Sequence, residues 1–221
     1  NVDVTNSSDL QSGGALSVLG DRGVTLAGKI VAVGELSVTS QGDIAQAADI
    51  ASAKRVTISS SGTLTQNGTI SAIGQISLSG RGILGSGSLG TDDAIAINAT
   101  TAGIDLAGQV SAKGGISLVA IDDINLRGAF ATDGLLGLSA RNLLVGADIA
   151  AVGGIMLTVP GDLTINSQGA IRSGAPIAFS VTNFRNAGTL AALGDLTVHT
   201  MKADNDGQIL SSKSVVLTSA G

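Results

Sequence analysis

The chain has 221 residues, a formal net charge of −5 and a pI near 4.6, with 12 Lys and Arg and no Cys, Trp or Tyr. Without cysteine there are no disulfides, thiol nucleophiles or Cys-based metal sites. The scattered basic residues, of which only Lys54 and Arg55 are neighbours, argue against nucleic acid or an anionic membrane surface as partner.

An apolar content of 43 % with 3 Phe as the sole aromatics predicts a narrow, uniform core of Leu, Ile, Val and Ala. Ordinary globular cores use aromatic rings as bulky fillers, so this composition points to a repeat. The repeat is legible in chain order. Its opening pattern runs GALSV at 14, GELSV at 34, KRVTI at 54, GQISL at 74, DAIAI at 93 and GGISL at 114. It continues as GLLGL at 134, GGIML at 153, APIAF at 175, GDLTV at 194 and KSVVL at 213. The steps are 20, 20, 20, 19, 21, 20, 19, 22, 19 and 19 residues.

Inside each unit the apolar residues alternate, the two-residue rhythm of a strand. In the first unit they are Leu16 and Val18, then Val24 and Leu26, then Ile30 and Ala32. Three short strands per unit, separated by turns such as GDRG, SQGD, SSSG and VPGD, predict a right-handed parallel β-helix. This all-β solenoid has three strands per ~20-residue rung and about ten to eleven rungs, with Gly and Asn supplying positive φ at the corners. It spans residues 1–221 as one segment of a longer fibre, without signal peptide or membrane-spanning run. The ends fall inside the repeat rhythm and leave open strand edges able to pair with other chains.

Particular positions carry finer expectations. The last inward position of the third strand is small in Ala32, Ser52, Ala72, Ala112, Ala151, Ser173, Ala192 and Ser211, with Thr91 and Thr132 slightly larger. Gln46 and Gln66 occupy one place in consecutive rungs, either stacked inward as an amide ladder or reaching solvent. Irregular loops are expected near 80–92, where the sequence is glycine-rich, and at 199–208, HTMKADNDGQ. A small bulge is expected around Ser167–Gly174, inside the 22-residue step.

Candidate chemistry is sparse. A polysaccharide-cleaving β-helix needs carboxylates gathered on one face. Asp92–Asp93 and Asp122–Asp123 lie at different corners, and Asp204 and Asp206 sit in the expected loop. Asp43, Asp123 and Asp162 share one turn position but are separated by four and two rungs, roughly 20 and 10 Å. Turn capping and solvation account for them. His199 is the sole histidine, near Lys202 and Asp204, and is read as a surface residue. No catalytic, cofactor-binding or metal site is expected, no cofactor is implied, and the chain is not read as an enzyme.

Units such as GALSVLGDRGVTLAGKIVAVG, GTLTQNGTISAIG and GTLAALG resemble the ~20-residue haemagglutinin repeats of filamentous-haemagglutinin-type two-partner-secretion exoproteins, which include contact-dependent growth-inhibition exoproteins. The resemblance covers essentially residues 10–221. It implies a shaft segment of a large secreted bacterial adhesin at the Gram-negative cell surface. It also implies an outer-membrane two-partner-secretion transporter as partner during export, with a host or neighbouring-cell receptor as a further partner. The alternatives are a receptor-contact segment of the same fibre and a polysaccharide-lyase-like enzyme. Asn-Pro-Asn-type secretion motifs are absent from these residues.

Overall fold

A computed structural model describes residues 4–220; residues 1–3 and 221 of the expected solenoid lie outside the described residues. The described chain is all β: 31 strands of 3–10 residues in three parallel sheets, with no helix. Each rung opens with a strand of the first sheet, such as Leu36–Ser40. It then turns into the second sheet, as at Ile44–Gln46, and into the third, as at Asp49–Ser52. The sheets hold 8, 12 and 11 strands in strictly sequential order, about eleven turns of one solenoid.

The alternation in sequence becomes inside and outside in space. Side chains of successive strand residues point to opposite faces, so Leu36, Val38, Ile44 and Ile50 are at most 2 % exposed. Stacking then repeats this pattern along the axis. Leu36 pairs with Val56, Val56 with Ile76, Ile76 with Ile95 and Ile95 with Ile116, each fully or almost fully buried. Burying one such aliphatic side chain contributes about 1.5–3 kcal/mol, and every rung brings the same kind of contribution. The three Phe are also in the core. Phe130 stacks between Val110 and Ile149, where the smaller Val110 offsets its bulk, and the Phe179 and Phe184 rings meet edge to face at 5.7 Å.

Corner chemistry departs from the sequence expectation in one respect. Among the described residues positive φ occurs only at Gly28, Gly85, Gly154 and Gly194, and at no Asn. Most corner glycines serve close stacking instead. A Cβ at Gly42 would lie 1.3 Å from the Arg22 carbonyl oxygen, and one at Gly108 would lie 1.8 Å from that of Gly87. The small third-strand positions are buried, from Ala32 at 2 % to Thr91 at 9 %, except Ser211 in the last rung, which is half-buried. Their hydroxyls add an inter-rung tie. Ser52 Oγ donates to the Gly34 carbonyl at 2.8 Å, Thr91 Oγ1 to Gly74 at 2.6 Å, and Thr132 Oγ1 to Gly114.

Two expected loops are strand. Residues 80–92 hold Ile83–Gly85 and Leu89–Thr91, each as long as its counterpart in the rung before. The missing residue of that 19-residue step is absorbed at the Arg81–Gly82 corner, between Ser79, paired with Ser59, and Ile83, paired with Leu64; Gly85, with φ of 149° and no Cβ, then lies against the Gln66 backbone. Residues 199–205 continue the ten-residue strand Leu196–Asn205, which runs without a turn from the first-sheet face into the second sheet. The rung before does the same at Ile177–Asn186. Neither run has a glycine where other rungs place Gly42 or Gly62, and β-branched Val181 and Thr200 suit extended backbone. The bulge is present at 166–169, closed by Gly169 N–H donating to the Asn166 carbonyl at 2.8 Å; residues 170–173 are strand.

Candidate functional site

The carboxylates singled out in the sequence are spread around the rod as corner caps and ion pairs. Asp92 bonds Lys113 at 2.7 Å, and Asp93 accepts from the Ala94 amide at 2.8 Å. The hydrogen bond with Asp92, then its charge, raise the Lys113 pKa above its ordinary value. Asp122 pairs with Arg141, and Asp204 lies 3.9 Å from Arg185. Both partners of each pair are at least 43 % exposed, so each pair contributes little to stability.

Asp43, Asp123 and Asp162 do share one corner, as the register required. Asp43 accepts from the Thr63 amide of the next rung at 2.7 Å. Further along, Asp123 accepts from Asn142 Nδ2 at 2.8 Å, Asn142 Oδ1 accepts from the Asp162 amide at 2.8 Å, and Asp162 accepts from Asn183 Nδ2 at 2.6 Å. Four successive rungs are therefore joined by one line of alternating acids and amides. Each bond ties one of these aspartates to the neighbouring rung, which is the geometry of a seam. His199 is exposed on its strand beside Ser180 and Thr218 in the adjacent rungs. Among the described residues no three His, Cys, Asp or Glu converge as a metal site.

Gln46 and Gln66 are both turned inward at 1 % exposure and are paired in register. They do not bond amide to amide. Each Nε2 donates to a carbonyl two residues on, Gln46 to Ala48 at 2.6 Å and Gln66 to Gly68 at 3.0 Å. Gln46 Oε1 also accepts from the Gly68 amide of the next rung at 3.2 Å. The Gly87 amide, the counterpart of Gly68 one rung on, donates to the Gln66 main-chain carbonyl at 3.0 Å and leaves the Gln66 Oε1 buried without a partner. A true amide link lies elsewhere, between Asn186 Nδ2 and Asn205 Oδ1 at 2.7 Å, with Asn186 fully buried. Its sequence signal was the shared place of the two Asn in rungs 19 residues apart, obscured by the flanking Asp204 and Asp206.

A concavity of about 1250 Å³ runs outside the third sheet along ten rungs from Val31 to Ser212. A smaller polar hollow of about 400 Å³ sits over the 166–169 bulge, beside Thr164 and Arg185. Nothing in the alternation of the sequence singled out the third-sheet groove, because its floor residues are small and individually unremarked.

A family model, the haemagglutinin repeat, matches residues 175–221. Over those final residues the chain is similar to the haemagglutinin repeat. No curated protein and no solved structure matches it. The matched haemagglutinin repeat comprises the final rungs, including Leu196–Asn205 and Val215–Ser219. It is continuous in register with the rungs before it, through Asp162–Asn183, Leu163–Phe184 and Ile165–Asn186. Among the described residues no helix is long and apolar enough to cross a membrane.

Proposed function

We propose that this haemagglutinin-repeat solenoid is a shaft segment of a large secreted exoprotein, which extends and presents adhesive or toxic regions at the bacterial surface. The observation that carries the reading is the unbroken register. From Leu16 to Ile155 every first-sheet strand pairs residue for residue with the next, over one aliphatic core. A stack with such nearest-neighbour contacts gains length rung by rung, without a long-range tertiary core. About ten steps at ~4.8 Å give a rod of roughly 50 Å. On this reading the partner in export is an outer-membrane two-partner-secretion transporter, and the rod itself performs no catalysis.

The test is competition for attachment. The purified rod is added to cells that adhere through the parent fibre, and adhesion is expected to be unchanged at saturating dose. Specific, saturable competition would overturn the shaft reading in favour of a receptor-contact segment. New reducing ends or unsaturated sugars from a panel of acidic polysaccharides would overturn the non-catalytic part.

A further inference from the structure

The groove outside the third sheet has a floor and a rim of different character. The middle residues of successive strands lay the floor, among them Ala51, Ser71, Gly90, Ser111, Ala131 and Ala150. The residue just after each strand forms the rim. There Val33, Ile73, Val152 and Leu193 are 58 %, 61 %, 68 % and 67 % exposed, with the small Ala53 and Gly174 between the members of each pair, so that two apolar stretches stand in water. The rungs between Ile73 and Val152 place Asp92, Lys113 and Asp133 on the same rim.

We propose that this face is the contact surface for a second copy of the rod, packed side by side with the rim of each seated in the groove of the other. Three features select that occupant. First, ridge and groove lie on one face, and an isologous two-fold contact needs both on the same patch. Second, the rim order from Ile73 through Asp92, Lys113 and Asp133 to Val152 is symmetric about Lys113, with Val33 and Leu193 beyond. Apolar rungs therefore meet apolar rungs whether the partner rod runs parallel or antiparallel. In either case the three charges face the partner's small Gly90, Ser111 and Ala131, where water can remain. Third, the size suffices. Ten rungs at ~4.8 Å and a width of three extended residues, roughly 10 Å, give about 480 Å² per copy, or about 1,000 Å² in total, which reaches the lower bound for a specific interface.

The first-sheet exterior is a poor competitor. Its outward columns are hydroxyls, such as Ser37, Thr39, Thr57, Ser59, Ser77 and Ser79, which stay well hydrated. Its apolar exceptions, Leu19, Val119 and Met156, stand in separate rungs, Val119 between Asn98 and Ser139, and do not form a row.

Sedimentation equilibrium over a wide concentration range tests the proposal, which does not depend on the shaft reading. The wild-type rod is expected to form a closed dimer. Ile73→Lys and Val152→Lys, at exposed positions that leave the core intact, are expected to weaken it by about tenfold or more each. Leu19→Lys and Met156→Lys are expected to leave it unchanged, with far-ultraviolet circular dichroism confirming the fold of all four. A wild-type rod that stays monomeric overturns the proposal. So does open-ended growth that the rim variants do not affect, which would report end-to-end stacking, and so does equal dissociation by all four variants.

Discussion

Replacing Gln66 by Leu removes a buried carbonyl oxygen that no neighbour satisfies, whereas the same change at Gln46 removes one that is bonded. The two positions are register partners with the same 1 % exposure, so the added apolar contact is closely matched. Leu also fits the site, since Leu26 and Leu106 occupy the same column in other rungs. Each substitution strands one backbone carbonyl, that of Ala48 or of Gly68, at a cost of about 1–3 kcal/mol. At Gln66 this is offset by eliminating the unpaired Oε1, a gain of similar size. Gln66→Leu should therefore be near neutral, and Gln46→Leu should cost about 1–3 kcal/mol. Urea midpoints give the comparison. Amide exchange at Gly68 and Gly87 localises it, because a stack of rungs need not unfold as one unit. The reasoning is refuted if Gln66→Leu destabilises as much as Gln46→Leu.

Three further outcomes follow from the corners. Gly108→Ala puts a Cβ 1.8 Å from the Gly87 carbonyl oxygen and should cost about 1–3 kcal/mol of overpacking in thermal or urea unfolding; an unchanged midpoint would contradict it. Thr132→Val keeps the shape but removes the hydroxyl that donates to Gly114 and accepts from the Gly134 amide, and should cost about 1–2 kcal/mol with faster exchange at Gly134. Ser214 Oγ donates to Asp195 at 2.6 Å, and this bond holds the Asp195 carboxyl below its ordinary 3.8. A depressed folded pKa stabilises above the unfolded value and loses that contribution as pH falls through the folded one, so the window lies below about pH 4. Carboxyl NMR titration should show the Asp195 pKa rising in Ser214→Ala; no rise would remove Ser214 as the cause.

Much of the fold was legible because a strand's inward face has a period of two and the rung returns each column to the same wall. Leu16, Leu36 and Val56 therefore announce themselves 20 residues apart. What escaped was chemistry that depends on which rung lies next. Asp204 and Asp206 look like loop residues, yet Asp204 faces outward to Arg185 while Asn205 bonds Asn186 beneath it, and the strand runs on. Gln66 looks identical to Gln46, but in the next rung the Gly87 amide bonds the main-chain carbonyl and leaves the side-chain oxygen unmatched. Gly42 and Gly108 read as turn formers, when the decisive fact is the carbonyl of the coil below. The groove was illegible for a related reason: Ala51, Ser71 and Gly90 mean little singly and become a surface only when stacked.

The hydrogen bonds between rungs, such as Ile76 to Ala94, Ile95 to Gly115 and Ile116 to Leu135, run from one coil to the next along the rod. A pull along the axis would strain all the bonds of a rung interface together, so the force is divided among many. A pull on the backbone at an uncovered rung would instead open the same bonds one after another. The solenoid is thus built to be stiff as a tether and weak as a thread. Its mechanical strength depends on where the strain is applied rather than on how many coils it holds.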